Sequence, residues 1–194
     1  MAITEIKTGG LGGQGVILAG MIIGRAASIY QNKHATLTQS FGPEARGSAC
    51  GASIVVSDEP VEYPYVNQPD ILVVMSQEAC NRFAPEMAPG GILLYEADFV
   101  EPGDLPEGIR TFGIPATRFA EELRGRMVAN IVMVGFFAAA TALVPRPAIR
   151  AAVQASVPPG TEELNLRAFD AGWEAFEHDQ GRQPATVVGA RDGS

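Results

Sequence analysis

Gly10, Gly12 and Gly15 satisfy the spacing G-x-G-x-x-G inside GGLGGQGVILAG, residues 9–20. Glycine lets a backbone turn tightly and approach a ligand closely. A helix that starts directly behind such a turn presents unpaired N–H groups and the positive end of its dipole. The chemistry served by that arrangement is anion binding, above all of a phosphate, and Gly10, Gly12, Gly13, Gln14 and Gly15 are the residues placed for it. The competing reading is a tight turn that only lets a strand and a helix pack closely.

The identity of such an anion is narrowed by what surrounds the loop. A nicotinamide dinucleotide needs a carboxylate at the end of the second strand to hold the ribose hydroxyls. Thr38, Gln39 and Ser40 occupy that place, and Glu44 belongs to the following loop. Arg46 is distant for a 2′-phosphate contact, and the loop lacks the Lys-Ser/Thr ending of a Walker motif. Residues 1–50 carry a net charge of +2 while the whole chain carries −8, so the remainder carries −10. An anion is therefore least repelled by the N-terminal quarter. The overall acidity and the lack of a basic stripe argue against nucleic acid as a partner.

Catalytic groups are scarce. His34 and His178 are far apart, neither has a ligand-type neighbour four residues on, and no nucleophile elbow occurs. Cys50 and Cys80, the only cysteines, cannot assemble an iron–sulfur or zinc site and read as free buried thiols. No catalytic residue and no metal site is expected on this chain.

The elements that must position the loop follow from the hydrophobic pattern. Residues 3–8 read as a strand, the glycine turn follows, and residues 14–30 form a helix with Arg25 as its only charge. Further strands are expected at 34–40, 49–58, 70–76, 92–97 and 109–114, with a short helix over 77–87 and another after Pro115. The charge-free stretch Met127–Val144 is long enough to consider as a membrane span, but it is rich in small residues and flanked by Arg124, Arg126 and Arg146, so it reads as a core helix. Helices at 148–156 and 161–177 complete the pattern. The expectation is an α/β fold, a three-layer Rossmann-like domain with a mostly parallel sheet and a helical C-terminal third, over residues 1–178. Residues 179–194 lack periodicity and read as a flexible tail. The N-terminus lacks the features of a signal peptide, which makes a cytoplasmic location the expectation.

Three blocks together resemble the gamma subunit of the 2-oxoacid:ferredoxin oxidoreductases, which act on pyruvate, 2-oxoglutarate, branched 2-oxoacids or indolepyruvate. They are GGLGGQGVILAG, then TQSFGPEARGSACGASIVVSDEPVEYP, and NIVMVGFFAAATALV with ELNLRAFDAGWE. The resemblance implies a subunit of a heteromeric enzyme that converts a 2-oxoacid to an acyl-CoA. Thiamine diphosphate, magnesium and [4Fe–4S] clusters would then sit on partner subunits, with ferredoxin or a ferredoxin-type subunit as a further partner. It also implies coenzyme A as a shared substrate, held at the glycine loop, with Gly47 and Ser48 beside it and Arg46 as either a second phosphate contact or a bond across the subunit interface. Ser48 departs from the family pattern, which has a glycine there. Two other readings stay open at this point: a purely structural assembly subunit, and a free-standing NAD(P)-binding dehydrogenase.

Overall fold

The computed structural model describes residues 2–40, 49–180 and 191–192. The chain runs through β1 (Ala2–Leu11), α1 (Val16–Gln31), β2 (His34–Ser40), β3 (Ala49–Ser57), β4 (Ile71–Val74), α2 (Gln77–Phe83), β5 (Ile92–Glu96), β6 (Arg110–Ile114) and α3 (Ala116–Glu122). Helices α4 (Ala129–Thr141), α5 (Arg146–Ser156) and α6 (Glu162–Gln180) follow, with a two-residue strand β7 (Arg191–Asp192) laid against the start of β1.

The main sheet has the strand order β2-β3-β1-β4-β5-β6. Strands β1, β4, β5 and β6 are mutually parallel, and β3 is antiparallel to both β1 and β2. All strands of this path except β3 therefore share one direction, which makes the sheet mostly parallel, as expected. Alternation along β4 shows how the layers form: Ile71 and Val73 face one side while Leu72 and Val74 face the other, and all are buried. The first side carries the larger core, covered by α1 and α3 to α6. The second is covered by α2 and the turn behind it, through Ala79, Cys80, Phe83 and Met87.

Strand β1 runs farther than its apolar pattern indicates. Its ladder with β3 continues to the pair Leu11↔Ala49, so Gly9 and Gly10 belong to the strand and not to the turn. Packing explains the glycine at position 9, because a Cβ there would lie 2.8 Å from the Phe83 ring.

Helix α4 is buried along its whole length, and among the described residues no helix is long and apolar enough to cross a membrane. It crosses α6 at backbone contact. A Cβ on Gly135 would overlap the carbonyl of Phe169, and one on Gly172 would overlap the carbonyl of Val132. The small residues of these two segments are thus a condition of the helix crossing.

Helices α5 and α6 are tied by Asp170, which accepts from Arg146 Nη2 at 3.0 Å and from Arg150 Nε and Nη2 at 3.2 Å each. Burial pushes the Asp170 carboxyl up, but the hydrogen bonds and charges of Arg150 and Arg146 outweigh it and hold the group below the usual carboxylate range. A carboxyl lowered in the folded state contributes stability above its unfolded value of about 3.9, and this is lost as pH falls through the folded value. Asp170→Asn is expected to cost about 1 kcal/mol at pH 7, given that both arginines are partly solvated. The difference from the parent should shrink towards zero as pH is lowered through the acid range, measured by urea unfolding.

Candidate functional site

The direction of winding changes between β1 and β4. From β1 the chain passes through α1 to β2 on one side of the sheet, while β4 lies on the other side of β1, parallel to it from Ile6↔Ile71 to Gly9↔Val74. In open α/β sheets such a switch leaves a crevice at the carboxyl ends of the strands, and ligands bind there. Here the crevice is bordered by the loop Gly12–Gly15 and by Met75, where β4 ends.

The loop is held by hydrogen bonds reaching across the crevice floor. Gln14 Oε1 accepts from the Leu11 N–H at 2.7 Å, and Gln14 Nε2 donates to the Met75 carbonyl at 2.9 Å. The Gln14 N–H donates to the Leu11 carbonyl, and the Met75 N–H donates to the Gly9 carbonyl at 2.9 Å. Both polar ends of the Gln14 side chain and its amide are thus committed to the loop's shape. Gln14 thus braces the loop, and it also lines the cavity beside it. Gly10 lies beneath: a Cβ there would stand 2.6 Å from Gln14 Oε1 and 2.8 Å from Val16 Cγ1, so its absence makes room for both side chains.

Gly12 and Gly13 differ from Gly10 and from Gly15, whose Cβ would stand 2.5 Å from Asn130 Nδ2. A Cβ built on Gly12 or Gly13 meets nothing within 4 Å, so this part of the loop opens outward. Gly13 and Gly15 have φ of 94° and 74°, the left-handed region that favours glycine. Gly15 is the N-cap of α1, which has neither a side-chain cap nor an acidic residue in its first turn. Among the described residues nothing accepts from the N–H groups of Gly12, Gly13 or Gly15. Among the described residues the start of this sixteen-residue helix therefore keeps free donors, and its dipole meets no acidic side chain in its first turn.

Asn130, in the first turn of α4, completes the site. Its side chain is 3% exposed, and Nδ2 donates to the Gly15 carbonyl at 3.1 Å. That carbonyl can only accept, which fixes the amide orientation and leaves Oδ1 buried without a partner among the described residues. A cavity of about 210 Å³ lies here, lined by Gly13, Gln14, Met75, Thr117, Ala129 and Asn130, with Phe99 and Met127 also on its wall. Phe99 and Met127 are 51% and 86% exposed, an unusual exposure for large apolar side chains. The cavity combines apolar walls for an alkyl or amide chain with N–H donors for an anion.

Glu96, at the end of β5, supports this wall from behind. It is fully buried, and Oε2 accepts from the N–H and Oγ1 of Thr117 at 2.8 and 3.0 Å. Oε1 accepts from the Asp98 N–H at 3.2 Å. One carboxyl group thereby fixes both the start of α3 and the turn that carries Phe99. Neither Asn130 nor Glu96 stands out as a site residue in the sequence, because their partners are distant along the chain.

Arg46, Gly47 and Ser48 lie outside the described residues. The described residues on either side, Ser40 and Ala49, stand at the end of the sheet where the glycine loop begins, through the pairs Ser40↔Gly51 and Leu11↔Ala49. Cys50 and Cys80 are free and buried. Burial pushes both thiols up, at Cys50 partly offset by a backbone hydrogen bond, the direction that disfavours the thiolate. His34 and His178 are exposed, on β2 and α6 respectively. Among the described residues no cluster of His, Cys, Asp and Glu is arranged to hold a metal.

The described residues form a doubly covered, mostly parallel sheet with a glycine-rich loop at its switch point. Residues 5–175 match the family model of pyruvate ferredoxin/flavodoxin oxidoreductase, and the chain belongs to that family, among its gamma-type subunits. It is 48% identical over 172 residues to the 2-oxoglutarate synthase subunit KorC of Methanocaldococcus jannaschii, covering 88% of this chain and 92% of the relative. The gamma subunit of a keto/oxoacid ferredoxin oxidoreductase from Geobacter sulfurreducens superposes with a TM-score of 0.79 at 38% identity, over 90% of this chain and 99% of that one. The fold also recurs, at a TM-score of 0.83 and 21% identity, in a 2-oxoglutarate:ferredoxin oxidoreductase from Magnetococcus marinus solved with 2-oxoglutarate, coenzyme A and succinyl-CoA bound. That match spans 98% of this chain and 34% of the other.

Proposed function

We propose that this chain binds and orients coenzyme A within a 2-oxoacid:ferredoxin oxidoreductase, with a CoA phosphate received by the N–H groups of Gly12, Gly13 and Gly15. The observation that carries the reading is the open, donor-rich start of α1 facing the switch-point crevice. CoA suits it chemically. Its phosphates match free N–H donors without requiring a ribose-binding acid, and its pantetheine arm matches the walls formed by Met75, Phe99 and Met127. Asn130 Oδ1 supplies an acceptor beside this path, of the kind an amide N–H of that arm would seek. Arg46, Gly47 and Ser48 are proposed as further contacts, since the residues that flank them in the chain, Ser40 and Ala49, stand at the same end of the sheet.

In this reading the complex is cytoplasmic. The thiamine-binding and 2-oxoacid-binding subunits carry the thiamine diphosphate, magnesium and [4Fe–4S] clusters, with ferredoxin or a ferredoxin-type subunit as a further partner. This chain contributes orientation of the thiol-bearing substrate. The similarity to KorC favours 2-oxoglutarate as the 2-oxoacid of the assembled enzyme. Residues 1–178 form the functional module.

Gly12→Asp tests the proposal. Gly12 has open space and does not need the left-handed backbone that Gly13 adopts, so the substitution adds a negative charge at the anion site without that strain. The apparent KM for CoA in the assembled complex is expected to rise on the order of 10–100-fold, with the 2-oxoacid KM unchanged. Gly12→Ala should stay close to the parent. An assembled Gly12→Asp complex with parental CoA kinetics would reduce the role of this chain to assembly.

A further inference from the structure

A second groove lies at the far end of α3. It has a volume of about 700 Å³ and opens between β6, α3 and α6. Phe119, Leu123 and Phe136 form its apolar floor, and Glu122, Glu174 and Asp179 stand exposed on its rim beside His178. Among the described residues none of these three carboxyl groups is paired with a cation. Strand β6 ends the strand path, so among the described residues no strand pairs with its outer edge, and Gly113 and Ile114 of that strand line the groove.

An unpaired strand edge beside an apolar trough is a template for an extended polypeptide, with main-chain bonds to the edge and a side chain in the trough. The acidic rim selects the sign of its occupant. Like charges gathered without a counter-charge repel one another and are relieved by a cationic partner, whereas phosphate-bearing surfaces are repelled. The same fold forms about a third of the longer Magnetococcus marinus chain, so the module does occur joined to further polypeptide.

We infer that this groove seats a Lys- or Arg-bearing extended segment of another subunit, which adds along the edge of β6 and places an apolar side chain between Phe119, Leu123 and Phe136. The inference does not depend on where CoA binds.

A photo-crosslinking residue in place of Glu174, in the complex purified with all its subunits, reads the occupant directly. The expected product joins this chain to a peptide of a different subunit that carries Lys or Arg near the crosslinked position. No crosslink beyond this chain, a crosslink to a second copy of it, or one to an acidic segment would overturn the inference. A paired experiment uses Glu122→Lys with Glu174→Lys, both exposed and outside the glycine-loop site. Retention of this chain in the complex should fall roughly tenfold, while its far-UV circular dichroism stays parental. Glu122→Gln with Glu174→Gln should flatten the salt dependence of retention. Parental retention and salt dependence in both double variants would refute the cationic partner.

Discussion

Gly172→Ala is expected to remove more than about 3 kcal/mol of stability, a large share of the roughly 5–15 kcal/mol that holds an ordinary domain folded. The reason is backbone contact. The added methyl would occupy the position of the Val132 carbonyl, and no rotamer change can relieve a clash between a Cβ and a main chain. Helix α4 is buried throughout, so it cannot move away from α6 without opening the core on its other side. Gly135→Ala should behave alike through the Phe169 carbonyl, and the double variant should lose less than the sum, since both changes force the same separation. Gly103→Ala supplies the control: nothing lies within 4 Å of its Cβ position, and its effect should stay within about 0.5 kcal/mol. Urea unfolding of the variants, or soluble yield where the first two fail to fold, checks the contrast.

Glu96→Leu is expected to cost on the order of 3 kcal/mol and to disturb the crevice as well. Removing the carboxyl group leaves the N–H and hydroxyl of Thr117 and the N–H of Asp98 without their acceptor. Because Thr117 and Phe99 both line the cavity, the loss at Glu96 should appear as raised CoA KM in any complex that still assembles. Glu96→Gln keeps one oxygen and should fall between parent and Leu variant in stability, since its NH₂ must face a donor on one side. A Leu variant as stable as the parent would show that water replaces the carboxyl group and that the wall is not built from it.

The legible part of this fold was local. The span of β2, the glycine turn ahead of α1 and the core placement of the charge-free helix can all be read from periodicity and turn residues over a dozen positions. What could not be read depends on partners far along the chain. Gly9 is a glycine because of Phe83, and Gly15 is bonded by Asn130. The spacing of Gln14 gives no sign that its side chain spans to Met75. The reversed direction of β3 likewise has no local mark, because an apolar strand looks the same in a parallel or an antiparallel ladder. Of the expected site residues, Gly12 and Gly13 face open space, Gly15 packs against Asn130, Gly10 makes room for Gln14 and Val16, and Gln14 both braces the loop and lines the cavity beside Asn130.

The span of Gln14 between Leu11 and Met75 bears on how quickly and at what entropic cost the crevice could be filled. Its bonds hold the loop in shape using only groups of this chain, so a visiting anion need not organise its own receptor. Such an anion gives up its own translational freedom and hydration but freezes little of the protein, and recognition then draws on rigidity already present in the folded chain.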